Sequence, residues 1–181
     1  MNTTRLIVVD DLPDGTSAAK EYHIKPFFKM EDGHTVTELW FLDKTPPDAA
    51  APRSFQPAFD FNLAPGALRF SHSTFPPFSQ IEECAGARGL PVKKESFGRH
   101  NTTTVDFLVL TKGELDLVTE NGTVHLKAGD CVVQKATVHA WINPGKEPAE
   151  LVHVMVGAHT SDNFKPVEFA SPFKPKIEDN S

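Results

Sequence analysis

Short segments in which apolar and polar residues alternate dominate the second half of the chain. Turn-forming pairs such as Lys112-Gly113 and Asn121-Gly122 separate these segments. Asn-Gly is a strong hairpin signal, because both residues tolerate a positive φ. Evenly spaced short strands are typical of an antiparallel sandwich or barrel rather than of parallel βαβ units. The predicted strands cover residues 105–111, 114–119, 123–127, 131–134, 140–142 and 151–156.

The first half of the chain predicts further strands and one helix. Residues 5–11, 21–30 and 36–42 have strand character, and a Pro/Ala-rich stretch over residues 44–65 predicts a long ordered loop or lid. Ser79 and Glu82 have the spacing of a capping box, and Gly89 is placed to end a helix of about ten residues. The pattern therefore predicts an all-β protein with one or two short helices.

A strand that ends at Pro76-Pro77 carries three candidate functional residues. Phe70 and His72 share one face of this strand, and Arg69 lies on the other face. At most one of the two faces points into the protein. If Phe70 belongs to the core, His72 also points inwards, where it would serve as an acid or base.

Composition and charge narrow the function classes. The 181 residues suffice for one domain with a substantial core, and the net charge is −6. The chain has no basic stripe that would neutralise phosphates, so nucleic acid is not an expected partner. The apolar run over residues 6–9 is too short for a signal-peptide core or a membrane span.

Cysteine usage agrees with a cytoplasmic protein. Cys84 and Cys131 lie far apart and form neither a metal-type pair nor a dense disulfide framework.

We expect one domain over residues 1–158, followed by a strap or a frayed tail over residues 159–181, where the chain is polar and contains three further prolines.

Two motifs between residues 98 and 143 resemble the signature motifs of the cupin superfamily. In the first, His100 is followed by Asp106 and Gly113 at the family spacing; in the second, the Gly129-Asp130 turn precedes His139 and Asn143. The stretch around His139 and Trp141 is similar to small single-domain cupins of secondary-metabolite pathways. The resemblance implies a jelly-roll barrel (double-stranded β-helix) and commonly a homodimer in which N-terminal strands or edges pair.

The resemblance also implies a polar site at the barrel mouth. A small barrel points alternate side chains inwards, so His100, Asp106 and His139 are expected to converge. Two positions depart from the family pattern, because Thr102 stands where the second histidine is usual and Asp106 replaces glutamate. The remaining residues match a two-histidine, one-carboxylate site for Fe, Mn, Ni or Zn. The alternative is a metal-free site in which His139 or His100 moves a proton and Asp106 orients the ring.

Other residues are candidates for parts of this site. We predict catalytic roles for His139, His100, Asp106 and His72, and a substrate-binding surface of Thr102, Arg69, Gln134, Trp141 and Phe70. Asp130 and Asn143 are expected to fix turns. The other five histidines fit no motif and are assigned to the surface or to strands: His23, His34, His125, His153 and His159.

Three functions remain open from the sequence. The leading one is a small-molecule enzyme of natural-product metabolism that performs lyase, isomerase, cyclase or decarboxylase chemistry, with or without a divalent metal. The second is a non-haem Fe(II) dioxygenase, and the third is a non-catalytic barrel that binds a small ligand. The 14 phenylalanines favour an apolar, aromatic or polyketide-like ligand if some of them line the cavity.

Overall fold

The computed structural model describes residues 3–56 and 60–177. Within these ranges, twelve strands and one helix follow one another. They are β1 (Thr4–Asp11), β2 (Ser17–Ile24), β3 (Phe28–Met30), β4 (Thr35–Leu42), β5 (Leu68–Phe75), α1 (Phe78–Ala87), β6 (Thr104–Lys112), β7 (Glu114–Thr119), β8 (Gly122–Lys127), β9 (Cys131–Lys135), β10 (Ala140–Ile142), β11 (Ala149–Gly157) and β12 (Pro175–Ile177).

The strands form three sheets. The largest has seven strands in the order β12-β3-β4-β5-β11-β6-β9, a second has the order β10-β7-β8, and β1 and β2 form a separate hairpin. The seven-stranded sheet is antiparallel at every strand pair. The predicted all-β class with one short helix is confirmed, although hydrogen bonding does not run continuously around one closed barrel.

Most element boundaries agree with the sequence patterns to within one or two residues. The predicted strand over residues 21–30 is an exception, because strand structure is interrupted between β2 and β3. Pro26 lies in this break and has no backbone N–H to donate to a sheet. The predicted capping box is also wrong: Pro77 is the N-cap of α1, and no side chain caps its first turn.

Leucines from both larger sheets pack between them and form the barrel core. Leu108 and Leu110 of β6 contact Leu115, Leu126 and Leu151. Inward and outward residues alternate along β6 and β11, as expected for strands with one face towards the core. The two sheets therefore enclose a space between their inner faces.

Chain segments outside the barrel strands cover one end of this space. Phe78 and Ile81 of α1 pack with Phe97 and with Phe173 from the C-terminal segment. That segment returns to the barrel, where Asn101 N donates to Val167 O at 3.2 Å. We refer to residues 159–177 as the strap, while the expectation of a strap or a frayed tail over residues 159–181 stays a prediction. The predicted domain boundary at residue 158 stays a prediction, and residues 178–181 lie outside the described part.

The face of β5 that points into the core is the one opposite to Phe70 and His72. Arg69, Ser71 and Ser73 are buried, whereas Phe70 and His72 are only partly buried. Arg69 is accommodated because its Nε donates to Glu38 Oε2 at 3.0 Å, with both side chains about 1% exposed. A buried charge requires such a partner, and this pair allows an arginine to occupy a core position.

The Arg69–Glu38 pair also anchors the loop over residues 44–65. Arg69 donates to the Gln56 side chain and to Asp60 O, and Gln56 N donates to Glu38 Oε1 at 2.9 Å. The expectation of an ordered loop is confirmed for the described parts, while residues 57–59 lie outside them. Among the described residues, no helix is long and apolar enough to cross a membrane.

The outer face of the large sheet carries exposed apolar side chains. Phe107 and Val133 pair across β6 and β9 and are 51% and 62% exposed. The homodimer expected from the sequence stays a prediction.

Replacing Glu38 with glutamine (E38Q) is expected to lower the free energy of unfolding by about 3–5 kcal/mol, because Arg69 then remains buried without a compensating charge. The matched control is E21Q, which breaks the surface pair between Arg5 and Glu21. Urea unfolding should distinguish the two variants, with E21Q close to wild type. Equal stabilities of E38Q and wild type would contradict the structural role of the pair.

Candidate functional site

A buried cavity lies between the two larger sheets and opens beneath the strap. Six of the residues predicted to form the site line it: His100, Thr102, Asp106, Gln134, His139 and Trp141. Other polar side chains in its wall are Asp32, His34, Ser73, Asn143 and His153. The structure therefore brings together His100, Asp106 and His139, the three side chains expected to converge.

Backbone pairing holds the two central histidines side by side. His100 N donates to His139 O at 3.0 Å, and His139 N donates to His100 O at 3.0 Å. This antiparallel bridge brings together residues 39 positions apart in the chain, and the centroids of their rings are 4.4 Å apart. Thus the position of the imidazole pair is set by the main chain.

The hydrogen bonds of both rings fix which nitrogen carries the proton. His100 Nδ1 lies 2.7 Å from Gly98 O, and His139 Nδ1 lies 2.8 Å from Thr137 O. Because a carbonyl oxygen only accepts, each Nδ1 must be the donor. In a neutral ring the Nε2 is then a free base, and neither Nε2 forms a hydrogen bond with the described residues.

Burial keeps both imidazoles uncharged. Desolvation lowers the pKa of His139 to about 3, with a smaller contribution from the neighbouring His100. Desolvation also lowers the pKa of His100, against the opposing effect of the Gly98 carbonyl. Since each ring disfavours a charge on the other, the pair accepts at most one proton in this cavity.

Asp106 responds to burial in the opposite direction. Desolvation raises the pKa of its carboxyl group to about 6, and the Thr104 hydroxyl, Arg69 and Gln134 offset only part of this effect. Gln134 Nε2 donates to Asp106 Oδ2 at 3.3 Å, while Oδ1 is buried without a partner among the described residues. The carboxyl group therefore binds a proton at a pH where the imidazoles do not.

The predicted orienting role of Asp106 is wrong. The rings are oriented by backbone carbonyls instead, because Gly98 and Thr137 lie two residues before each histidine and accept from its Nδ1. Thr102, which stands where the second histidine of the family is usual, forms a side-chain hydrogen bond. Its hydroxyl lies 2.7 Å from Thr104 Oγ1 in the wall of the cavity.

Three predicted site residues do not line the cavity: His72, Phe70 and Arg69. His72 and Phe70 lie on the other face of β5, and His72 Nε2 lies 3.4 Å from Glu150 Oε2. Arg69 points inwards but is not part of the cavity wall, and its guanidinium contacts Glu38, Gln56 and Asp60. None of the three is placed to contact a ligand in the cavity.

Two histidines assigned to the surface or to strands line the cavity instead. His153 lies on the inward face of β11 and its Nε2 is 2.9 Å from Ser73 Oγ; burial lowers its pKa to about 3. His34 stacks on Phe75, and burial lowers its pKa to about 4. Leu151, His153 and Met155 are spaced two residues apart, and this spacing indicates that the His153 side chain shares the inward face of the strand with two apolar residues. No sequence pattern distinguishes His34 from a turn residue.

The described residues do not form the predicted metal site. Among them, no three His, Cys, Asp or Glu side chains are grouped so that they could hold a metal ion. His100 and His139 supply two nitrogen donors, but the Asp106 carboxyl group is held by Gln134 and does not complete a three-ligand set. The arrangement therefore differs from the two-histidine, one-carboxylate metal site, which is one of the two alternatives that the sequence leaves open.

Aromatic side chains surround the histidine pair. Phe169 from the strap lies 5.2 Å from the His100 ring and 6.1 Å from Phe61 of the loop over residues 44–65 (ring centroids). Trp141 lies 6.1 Å from His139. These side chains exclude water from one side of the imidazoles, which is why desolvation dominates their pKa values.

Comparisons with known proteins agree with the motifs. Residues 89–155 match the family model of the cupin domain. A 48-residue segment is 52% identical to Oryzines biosynthesis cluster protein J of Aspergillus oryzae and covers 26% of this chain and 27% of that protein. A 45-residue segment is 44% identical to Phomopsin biosynthesis cluster protein C' of Diaporthe leptostromiformis and covers 24% of each protein. The chain thus matches only about a quarter of these relatives.

Solved structures align with most of the chain. One of them is a putative ethanolamine utilization protein Q from Salmonella typhimurium, with a TM-score of 0.46 and 10% identity over 87% of this chain and 98% of that chain. The resemblance to the cupin superfamily inferred from the two motifs is confirmed by the family model.

Stability is expected to fall as the pH decreases from 6.5 towards 4. Between these values the unfolded chain protonates His34, His139 and His153, but the folded chain does not, because their folded pKa values are about 4, 3 and 3. Each histidine contributes a loss of about 1.4 kcal/mol per pH unit. Asp106 opposes one of them, since its raised pKa lets the folded state bind a proton below pH 6.

Urea unfolding at pH 7, 6 and 5 measures this dependence. The variant H153Q keeps a hydrogen-bonding group near Ser73 and should lose stability less steeply than wild type below pH 6.5. Identical slopes for the two proteins, or a wild-type stability that rises on acidification, would be inconsistent with three buried neutral histidines.

Proposed function

Because the chain carries a cupin domain over residues 89–155, we propose that it is a small-molecule enzyme that moves protons within the buried cavity. One observation carries the proposal: two unprotonated imidazole nitrogens and a carboxyl group with a raised pKa line the same largely apolar space. Groups whose pKa values are shifted apart by their environment are the usual means of combining an acid and a base at one site. The reaction class is dehydration, isomerisation, cyclisation or decarboxylation.

The base in this proposal is the histidine pair. His139 Nε2 accepts a proton from the substrate, and its Nδ1–H remains bonded to Thr137 O, which disperses the positive charge that develops. His100, whose ring centroid is 4.4 Å away, offers a second Nε2. Only one of the two rings is charged at a time, so the pair acts as a single-proton acceptor.

The acid is Asp106. A neutral carboxyl group is favoured in this position because Oδ1 is buried without a partner, and an ionised oxygen there would lack compensation. Gln134 holds the other oxygen through its amide and fixes the orientation of the group. Asp106 then donates its proton to the substrate atom on which negative charge develops. It regains a proton when His139 releases the one that it accepted from the substrate.

The relatives support a biosynthetic setting. Their names assign them to the oryzines and phomopsin biosynthesis clusters. We place this chain in the same broad class, natural-product metabolism, with a substrate that fits between aromatic walls. The dioxygenase alternative has less support, since it requires a third metal ligand that the described residues do not supply beside the two histidines.

Deleting the gene in its native host is expected to make a precursor accumulate, and the purified protein should convert that precursor. The variant H139A should convert it about 100-fold or more slowly, since it lacks the proton acceptor. A matched control is H125A, which removes a partly exposed imidazole bonded to Asp116. Mass spectrometry of the reactions measures both. Conversion by H139A at the wild-type rate, or tight binding without any conversion by wild type, would refute the enzyme proposal.

The rate is also expected to depend on pH through Asp106. With a carboxyl pKa of about 6, kcat/KM should fall about tenfold per pH unit above pH 6, because only the protonated form donates. Asp106→Asn should be slower at pH 5 and should lack this decline. A wild-type kcat/KM that increases between pH 5 and pH 8 would mean that Asp106 is not the acid.

A further inference from the structure

The cavity wall contains polar atoms with no partner in the protein. Gln134 Oε1 and Asp106 Oδ1 are buried, and neither forms a hydrogen bond with the described residues. Buried polar atoms are nearly always hydrogen-bonded in proteins, so unpaired ones in a cavity wall indicate positions where a ligand binds. Gln134 Oε1 is fixed as an acceptor because the amide nitrogen donates to Asp106 Oδ2 at 3.3 Å.

The histidine pair adds two more acceptors. The Nδ1–H groups of His100 and His139 are engaged with carbonyl oxygens, which leaves the Nε2 atoms to accept from a ligand. Asp106 Oδ1 either accepts or donates, according to its protonation. A hydroxyl group fits each of these positions, since it donates one hydrogen bond and also accepts, and a ligand with more than one hydroxyl group pairs with more than one of them. A carboxylate or an ether satisfies none of the three fixed acceptors.

The charges around the cavity disfavour an anionic ligand more strongly than the unpaired acceptors do. In the described parts of the chain, no lysine or arginine lines the cavity, whereas Asp32 and Asp106 do. Arg69 is a buried cation outside the cavity wall, and its charge is balanced by Glu38, whose Oε2 lies 3.0 Å from Arg69 Nε. A carboxylate or phosphate would therefore lose its hydration shell without gaining a positive partner.

We propose that the substrate is an uncharged aromatic compound with hydroxyl groups, that is, a phenol, and that the cavity rejects carboxylates of the same size. The aromatic walls formed by Phe61, Trp141 and Phe169 take the ring. Gln134 and the histidine pair accept from the hydroxyl groups. This inference rests on the proposed function, because it names the substrate class of the same cavity.

Three probes of similar size test the inference: catechol, 1,2-dimethoxybenzene and benzoate. Binding is measured at pH 7 by NMR titration of the full chain, with shifts read at the indole N–H of Trp141. Catechol should bind about tenfold more tightly than 1,2-dimethoxybenzene, because the ether leaves the buried acceptors unpaired. Benzoate should bind more weakly still.

Substitution of Gln134 distinguishes recognition by the acceptor from binding by apolar contact alone. Q134L removes the fixed acceptor and should reduce the preference for catechol over 1,2-dimethoxybenzene to less than about threefold. Q80L is the matched control, since Gln80 is an exposed residue of α1 outside the cavity, and it should keep the full preference. Benzoate binding as tightly as catechol, equal affinities for catechol and its dimethyl ether, or no binding of catechol would each overturn the inference.

These outcomes are separable from failure of the proposed function. Selective binding of catechol by a protein that converts no metabolite would support the substrate class and refute the enzyme. Conversion of a carboxylate precursor that is lost in H139A would support the enzyme and refute the phenol assignment.

Discussion

The reciprocal backbone hydrogen bonds between His100 and His139 are the constraint on which the site depends. They place two imidazoles side by side with their Nδ1 atoms directed at carbonyl oxygens two residues earlier. Two adjacent, buried bases are stable only when both are uncharged, since a charge on either would be desolvated and would face its neighbour. The geometry of the main chain therefore fixes the charge state of the site.

The surrounding structure maintains this state by excluding water. The strap supplies Phe169, the loop over residues 44–65 supplies Phe61, and the Arg69–Glu38 pair holds that loop against the sheet. The same exclusion of water raises the pKa of Asp106 and lowers that of His139. One physical cause, desolvation, thus produces both the acid and the base of the proposed reaction, at the expense of stability in acid.

The sequence predicted the fold and the centre of the site better than its periphery. His100, Asp106 and His139 were found because their spacing matches family motifs, and motif spacing reflects strand register. Alternation along β5 identifies two faces but not which one is buried. Glu38, 31 residues away in sequence, allows Arg69 to be buried, and Phe70 and His72 therefore lie on the other face. His34 lines the cavity through tertiary contacts that no local pattern encodes, whereas the carbonyls of Gly98 and Thr137 orient the rings through local hydrogen bonds whose geometry the residue types do not reveal.

The protonation state of the histidine pair tests the account most directly. Nitrogen NMR of a histidine-labelled sample at pH 5 should show His139 as a neutral ring protonated at Nδ1, since burial lowers its pKa to about 3. The chain unfolded in urea should show protonated histidines, since their ordinary pKa is about 6.5. A doubly protonated His139 ring at pH 5, or a neutral ring with its proton on Nε2, would contradict the claim that the fold presents a free imidazole base to the cavity.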